Sequence, residues 1–384
     1  MNKPKPVLRD KLASAVLILS LGAIFLLNIV IPPPSVLISE RRIPAKLPEL
    51  SLNTVLTGGF MSNFEDYAAD NFVFRDAFRS IHSILIFDIF FQRDMTGLYR
   101  SKNIGLGEFH PIDESAYKLS AHKIDTVAQI LSASGLNVYY SLIPDKSLFA
   151  EHYLPGFDLV LAEEILDQVL GDFPYISLAD LIDAGTYYKT DLHWDQTKIA
   201  DISDYIVSSM GAHSGTGFYN YEIAGEFYGL YAGQYAFPVP ADTLSFVSDL
   251  GIISESDTRA TLHLSSINAK YLSEKTLEFE LGLIYDIDRY KGIDPYDFFL
   301  SGPQPLIILE NTSAPERELF MFRDSFGSSL APLFMPFYSR IYLIDLRYIN
   351  FKLLDLFIDF TPGADALFIY SSQIFNNPSI LQVS

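Results

Sequence analysis

The run Leu319-Phe320-Met321-Phe322-Arg323-Asp324-Ser325-Phe326-Gly327 passes from a short apolar strand through a turn into a helix that continues to about Phe334. Strands this uniformly apolar belong to parallel sheets covered on both faces. The strand-turn-helix junction then lies at the carboxyl edge, where open α/β sheets bind ligands. Ser325 sits at that junction, a place for a nucleophilic hydroxyl with helix N-terminal amides close enough to hold an oxyanion. Serine is also an ordinary helix cap, so position alone leaves both roles open.

Working outward, the same alternation recurs. Downstream come a strand at Arg340 to Ile344, a helix near Phe351 to Phe357 and a strand at Ala366 to Tyr370. Upstream, Asp113 caps a helix running to about Ser134, with Ile124, Val127, Ile130 and Leu131 on one face and Gly135 as its stop. A strand over Leu136 to Ile143, a helix over Leu159 to Leu170 and a short strand over Tyr175 to Leu178 follow. Asp195 then caps a helix whose apolar positions are Ile199, Ile202, Ile206 and Met210. The pattern predicts an α/β fold, a parallel sheet between two helical layers. From about 213 to 305 the texture shifts to Gly, Tyr and short β-prone runs (Thr243 to Val247, Thr261 to Leu264, Leu277 to Leu281), read as a β-rich insertion.

About 130 residues before Ser325 lies Thr190-Asp191-Leu192-His193-Trp194. A serine nucleophile needs an imidazole to take its proton, and the imidazole needs a carboxylate to set its tautomer and stabilise its cation. Asp191 and His193 offer both from one loop. A lone histidine is more often bonded to backbone than catalytic, and in a loop no rule puts residues two apart on one face.

At the N-terminus, Leu12 to Ile31 is a twenty-residue apolar stretch broken only by Ser14, Ser20, Gly22 and Asn28, long enough to cross a bilayer. Lys3, Lys5, Arg9 and Lys11 before it place the N-terminus in the cytoplasm and the rest outside. A cleaved signal peptide is the rival reading, but no small-x-small site precedes Pro32-Pro33-Pro34. The domains expected are a basic tail at 1–11, a single-pass cell-membrane anchor at 12–31, a Pro-rich stalk at 32–48 and an extracytoplasmic domain at 49–384. Within the last, Phe60 to Phe91 carries Phe60, Phe64, Tyr67, Phe74, Phe78, Ile81 and Leu85 at helical spacing, so one or two helices are expected there.

Composition removes several chemistries. The chain has 384 residues, 49% of them hydrophobic, ample for a packed core, and no cysteine for disulfides, thiolate metal sites or thiol catalysis. A net charge of −20 argues against nucleic acid, and against a polyanionic ligand unless a local patch is positive. No spacing supports a metal site or a phosphate-binding glycine loop, and no cofactor is implied. Lys146, Trp194, Gly105 and Arg323 are the candidate substrate contacts. Against these stand a solvated lysine, a tryptophan that packs its loop rather than stacking on a sugar, and a plain turn at Gly105.

Taken together, Asn63 to Tyr67 with Asp70 to Arg75, Pro144-Asp145-Lys146, Thr190 to Trp194, Arg323 to Gly327 and Tyr342 to Tyr348 resemble the DHHW family. More distantly they resemble the alginate O-acetylation proteins, whose fold is SGNH-hydrolase-like. The likeness covers nearly everything after the anchor. It implies an SGNH-like three-layer sheet in permuted order, the serine coming last, with Asp191, His193 and Ser325 as the triad. Leu192 departs from the family, which carries a further histidine there. The resemblance also implies transfer or removal of an acetyl group on an extracytoplasmic polysaccharide through an acetyl-serine, with a membrane acyltransferase as a conceivable donor partner.

Two functions follow. One is a membrane-anchored serine O-acetyltransferase or acetylesterase. The other is a catalytically silent envelope protein of the same fold that binds glycan or scaffolds a complex. The distance between the Ser325 hydroxyl and the His193 ring separates them.

Overall fold

The computed structural model describes residues 8–212, 219–248, 260–266 and 278–383. They fall into two compact units, Met1–Gln92 with Gly233–Pro238, and Arg93–Ala232 with Val239–Ser384. The boundary after Gln92 groups the helices of residues 52–89 with the N-terminal segment, whereas the sequence grouped them with the domain from 49 onward.

In the first unit a helix spans Leu8–Val30, and its stretch Lys11–Val30 is the one described helix long and apolar enough to cross a membrane. Helices follow at Leu52–Leu56, Gly59–Asp70 and Arg75–Ile84, the last continuing as a π-helical turn over Leu85–Ile89. Residues of the Pro-rich segment are held to them. Asp70 receives two hydrogen bonds from the Arg42 guanidinium and one from the Ala45 amide.

The second unit is built on a seven-stranded sheet: β1 (Asn137–Ile143), β2 (Ala260–Ser266), β3 (Glu278–Gly282), β4 (Leu306–Asn311), β5 (Glu318–Arg323), β6 (Arg340–Ile344) and β7 (Asp365–Ser371). Their spatial order is β1-β7-β5-β6-β4-β2-β3. β1, β7, β5 and β6 are parallel, while β4, β2 and β3 continue the sheet in antiparallel fashion. The sheet is therefore mixed rather than wholly parallel. Part of the expected insertion, β2 and β3, extends the central sheet instead of standing apart, and 213–218, 249–259 and 267–277 lie outside the described residues. Tyr221–Phe227 and Asp242–Val247 pair separately. β4 was not anticipated, and the expected strand at Tyr175 to Leu178 reduces to a single bridge, Tyr140 to Tyr175.

Alternation along the buried strands feeds two cores. Leu319 and Met321 of β5 face the helices Ala200–Ser209 and Phe326–Phe334. Phe320 and Phe322 face the helices Glu114–Ala133 and Leu159–Leu170. On that second face Phe320 stacks on Tyr342 and Phe322 on Phe368, each pair 4.5 Å between centroids, within the range where aromatic pairs add stability beyond their buried area. This packing fixes where β5 ends and hence where Ser325 emerges.

Candidate active site

Ser325 follows β5 directly and precedes the helix Phe326–Phe334. Its hydroxyl does not cap that helix. The cap bond comes from Asp324, whose Oδ1 accepts the Phe326 amide at 3.0 Å while Oδ2 accepts the Ser371 amide of β7 at 2.9 Å. Asp324 thus ties the serine turn to the neighbouring strand and leaves the Ser325 hydroxyl available. Among the described residues no acceptor takes the Ser325 amide proton.

Ser325 Oγ lies 2.7 Å from His193 Nε2, and His193 Nδ1 lies 2.6 Å from Asp191 Oδ1. Asp191 is fully buried. Oδ1 also accepts the His193 amide at 3.0 Å, and Oδ2 accepts the Leu230 amide at 2.6 Å. A carboxylate with this many donors is held in one rotamer, and the amide bond from His193 is what folds the Asp-x-His turn back on itself. The imidazole lies face to face with Tyr296, 3.8 Å between centroids and 10° between planes, and leans on Phe326 at 4.9 Å. Tyr296 in turn bonds Ser329 Oγ at 2.9 Å.

The loop itself is clamped from three sides. Asp242 accepts the Lys189 amide at 3.0 Å, the Thr190 amide at 2.7 Å and the Thr190 hydroxyl at 2.6 Å. Gly229 approaches so closely that a Cβ there would stand 2.3 Å from Asp191 Cβ. Lys146, at the end of β1, donates through Nζ to the carbonyls of Tyr188 at 2.6 Å and Asp191 at 2.9 Å.

These contacts revise the substrate-facing expectations. Lys146 is 1% exposed and holds the loop rather than meeting a ligand. Burial pulls its ammonium down to about 8, against the opposing pull of Asp191, Asp242 and Asp145. Trp194 is fully buried, donates to the Phe326 carbonyl at 3.1 Å and Ser329 Oγ at 2.9 Å, and offers no face to a sugar. Arg323 is fully buried beneath the helix, bonding the Asp324 carbonyl at 3.2 Å and Ser328 Oγ at 3.1 Å, and burial lowers its guanidinium from the usual range. Leu192 packs against the core, so the residue between Asp191 and His193 serves the loop's seating.

Gly105 lies against the loop, its amide neighbour Leu106 donating to the Lys189 carbonyl at 2.7 Å. Its φ of +76° and a Cβ that would stand 2.5 Å from Lys189 O both demand glycine. It lines a cleft of about 540 Å³ with Arg100, Lys102, Lys189, Thr190 and Asp242. Arg100, Lys102 and Lys189 share that lining with the Asp242 carboxylate. Among the described residues no group of three or more His, Asp or Glu side chains has the placement to hold a metal ion.

The sequence did not point to Tyr296, Asp242, Ser329 or Gly229. Asp294-Pro295 signals the turn before Tyr296, with Asp294 capping it at 2.9 Å, but nothing local says that its ring meets an imidazole a hundred residues earlier.

This is an α/β fold with a serine, an imidazole and a carboxylate in hydrogen-bond series at the carboxyl edge of its sheet. No family model matches the sequence, and no curated protein matches it. Among solved structures it is similar to a DHHW family protein from Eubacterium siraeum, at 17% identity and TM-score 0.56 over 76% of this chain and 97% of that one. It is similar also to Bacillus cereus PatB1 solved with a sulfonyl adduct, at 15% identity and TM-score 0.57 over 74% and 97%. The O-acetyltransferase domain of Pseudomonas putida AlgJ overlaps at TM-score 0.41 and 11% identity over 74% and 92%, a level that carries no weight here. The first two show a shared fold, and the first of them is a protein of the DHHW family that the sequence resembles.

Proposed function

We propose that the chain is a serine-dependent acyl-transfer protein, an O-acetyltransferase or acetylesterase acting on a cell-envelope or exported polysaccharide. The observation that carries this reading is the unbroken hydrogen-bond path from Ser325 Oγ through His193 to Asp191, at 2.7 and 2.6 Å. Such distances suit proton transfer without rearrangement. A silent scaffold has no need of them.

In the first half-reaction Ser325 Oγ bonds to the acetyl carbonyl carbon while His193 Nε2 takes the hydroxyl proton. Asp191, bonded at Nδ1, stabilises the imidazolium. The carbonyl oxygen becomes an oxyanion, for which the unengaged Ser325 amide and the N-terminal end of the helix Phe326–Phe334 are the candidate donors. Collapse of the tetrahedral species breaks the bond to the donor's oxygen, which leaves with the proton from His193. In the second half a glycan hydroxyl or water loses its proton to His193, attacks the acetyl-serine and regenerates Ser325.

The cleft bearing Arg100, Lys102 and Lys189 adjoins the loop and supports a glycan with anionic groups as readily as a neutral one. The order of the residues, Asp191 and His193 ahead of Ser325, fits a permuted SGNH-type arrangement. Residues 12–31 are read as an uncleaved single-pass anchor with the N-terminus cytoplasmic and the remainder extracytoplasmic, where a membrane acyltransferase is the natural acetyl donor. The test is turnover of a chromogenic acetyl ester and labelling by a serine-directed sulfonyl fluoride, with the full chain in detergent. Ser325→Ala is expected to abolish both, and unchanged turnover and labelling would discard the assignment.

A further inference from the structure

The helix Arg75–Ile84 and its continuation Leu85–Ile89 present an unusual face to solvent. Phe74, Phe78, Ile81, Leu85 and Ile89 recur at helical spacing and are 59%, 47%, 53%, 39% and 57% exposed. The opposite side is the one that packs. There Ser80 and Ser83 donate to the carbonyls of Ala236 and Tyr235, and Phe87 stacks on Tyr235 at 4.8 Å. On the intervening flank Arg75 and Arg79 pair with Glu40, and Arg79 also donates to the Gly233 carbonyl at 2.8 Å. Serines, ion pairs and one aromatic stack hold the helix from within, and the apolar stripe is left outside, the reverse of a water-soluble helix.

What covers the stripe is indicated by the chain's first helix. Asn28, a polar residue within the apolar stretch, accepts the Val73 amide through Oδ1 at 2.9 Å. From Asn28 to Ile31 the helix rises only about 4.5 Å. Val73 and its neighbours therefore lie at or just below the level where the span would leave the hydrocarbon. Phe72 and Phe74 flank Val73 and are 39% and 59% exposed. Phe74 is held at φ 59°, a backbone region that bulky residues rarely adopt and that tends to be kept where function requires it.

We infer that the stripe from Phe74 to Ile89 is a membrane-docking surface that lies in the outer interface of the bilayer crossed by Leu12 to Ile31, its aromatic and aliphatic side chains among the lipid chains. The inference rests on the anchor reading and goes beyond it. A single span fixes only a tether, whereas a second apolar face at the same level also fixes orientation.

The experiment places tryptophan at Phe74 or Phe78 in the full chain, reconstituted in phosphatidylcholine vesicles whose acyl chains carry bromine at shallow or deep carbons. Leu17→Trp reports the span, and Ile130→Trp reports an exposed position of the other unit. Buried Trp194 gives a background read from the unsubstituted chain. Phe74→Trp and Phe78→Trp are expected to lose most of their emission to shallow bromine and little to deep bromine, Leu17→Trp to lose emission to deep bromine, and Ile130→Trp to neither. Unquenched Phe74→Trp and Phe78→Trp beside a quenched Leu17→Trp would overturn the docking surface while leaving the anchor standing, whether the stripe is bare or covered by a second copy. An unquenched Leu17→Trp would overturn both.

Discussion

His193 and Tyr296 lie almost parallel, their ring centroids 3.8 Å apart. The ring that shares Ser325's proton is therefore pressed between a tyrosine face and Phe326, and rotates only if one of them moves. Positioning by packing is worth testing separately from the hydrogen bonds. Tyr296→Ala should leave the three polar residues in place and still lower acetyl-ester turnover, on the order of 10- to 100-fold, because a misplaced base loses near-attack geometry. Tyr296→Phe keeps the stack and gives up only the Ser329 bond, so it should stay within about a few-fold of the parent. Equal losses in the two variants would count against the stacking role.

Asp191→Asn probes the next link. The amide oxygen can replace one acceptor, but its NH₂ must then face either the His193 ring or the Leu230 amide, both of which donate. Turnover is expected to drop roughly 10⁴-fold, as when an imidazole is left in the wrong tautomer. The buried mismatch should also cost about 1–3 kcal/mol of stability, read as a lower urea midpoint. A double variant with Ser325→Ala should be no slower than Ser325→Ala alone, since the group acts as a unit.

Lys146 gives a pH-dependent stability whose sign can be worked out. Below about pH 8 folded and unfolded chains both carry its proton, and the fold bears the full cost of a buried charge. Between about 8 and the ordinary value of 10.5 the unfolded chain holds the proton and the folded one does not, so stability rises with pH. Across about pH 8 to 9.5 the gain is on the order of 2 kcal/mol. Lys146→Met should lack this rise, as measured by urea unfolding at the two ends of that window. The same slope in parent and variant would show that Lys146 is not its source.

Gly229→Ala tests the close approach behind the carboxylate. The added methyl would stand 2.3 Å from Asp191 Cβ and 2.4 Å from the Thr190 carbonyl oxygen, so loop or turn must shift. We expect a loss of about 1–3 kcal/mol of stability, typical of overpacking, together with reduced turnover. The rate of labelling by the serine-directed probe should fall in parallel. A variant with parent stability and rate would mean that the turn gives way freely.

Local pattern carried much of this architecture and failed where contacts are long-range. β1, β5, β6 and β7 are legible as apolar runs, and Asp113 does cap the helix that follows it, whereas Asp195 caps only the short turn Gln196–Lys198 and the helix Ala200–Ser209 starts beyond it without a side-chain cap. The helix Leu159–Leu170 has the bounds read from periodicity. Leu306 to Leu309 is just as apolar as β5, but a change of texture upstream hid it, and with it the antiparallel half of the sheet. Lys146 looks like any lysine at a strand end. Its burial depends on two carbonyls more than forty residues away, which no window around it contains. Among the site residues, the types and order of Asp191, His193 and Ser325 were visible, whereas their distances follow from how β5 and the Thr190 loop are seated. The spacing of Phe74, Phe78, Ile81 and Leu85 announced a helix but could not say which way it faces.

Asp191 and His193 are held in place by groups of the protein itself, the His193 and Leu230 amides on the carboxylate and the Tyr296 and Phe326 rings on the imidazole. An inhibitor that reacts with Ser325 should therefore need no activating glycan, and screening can begin on the resting protein with the carbohydrate omitted.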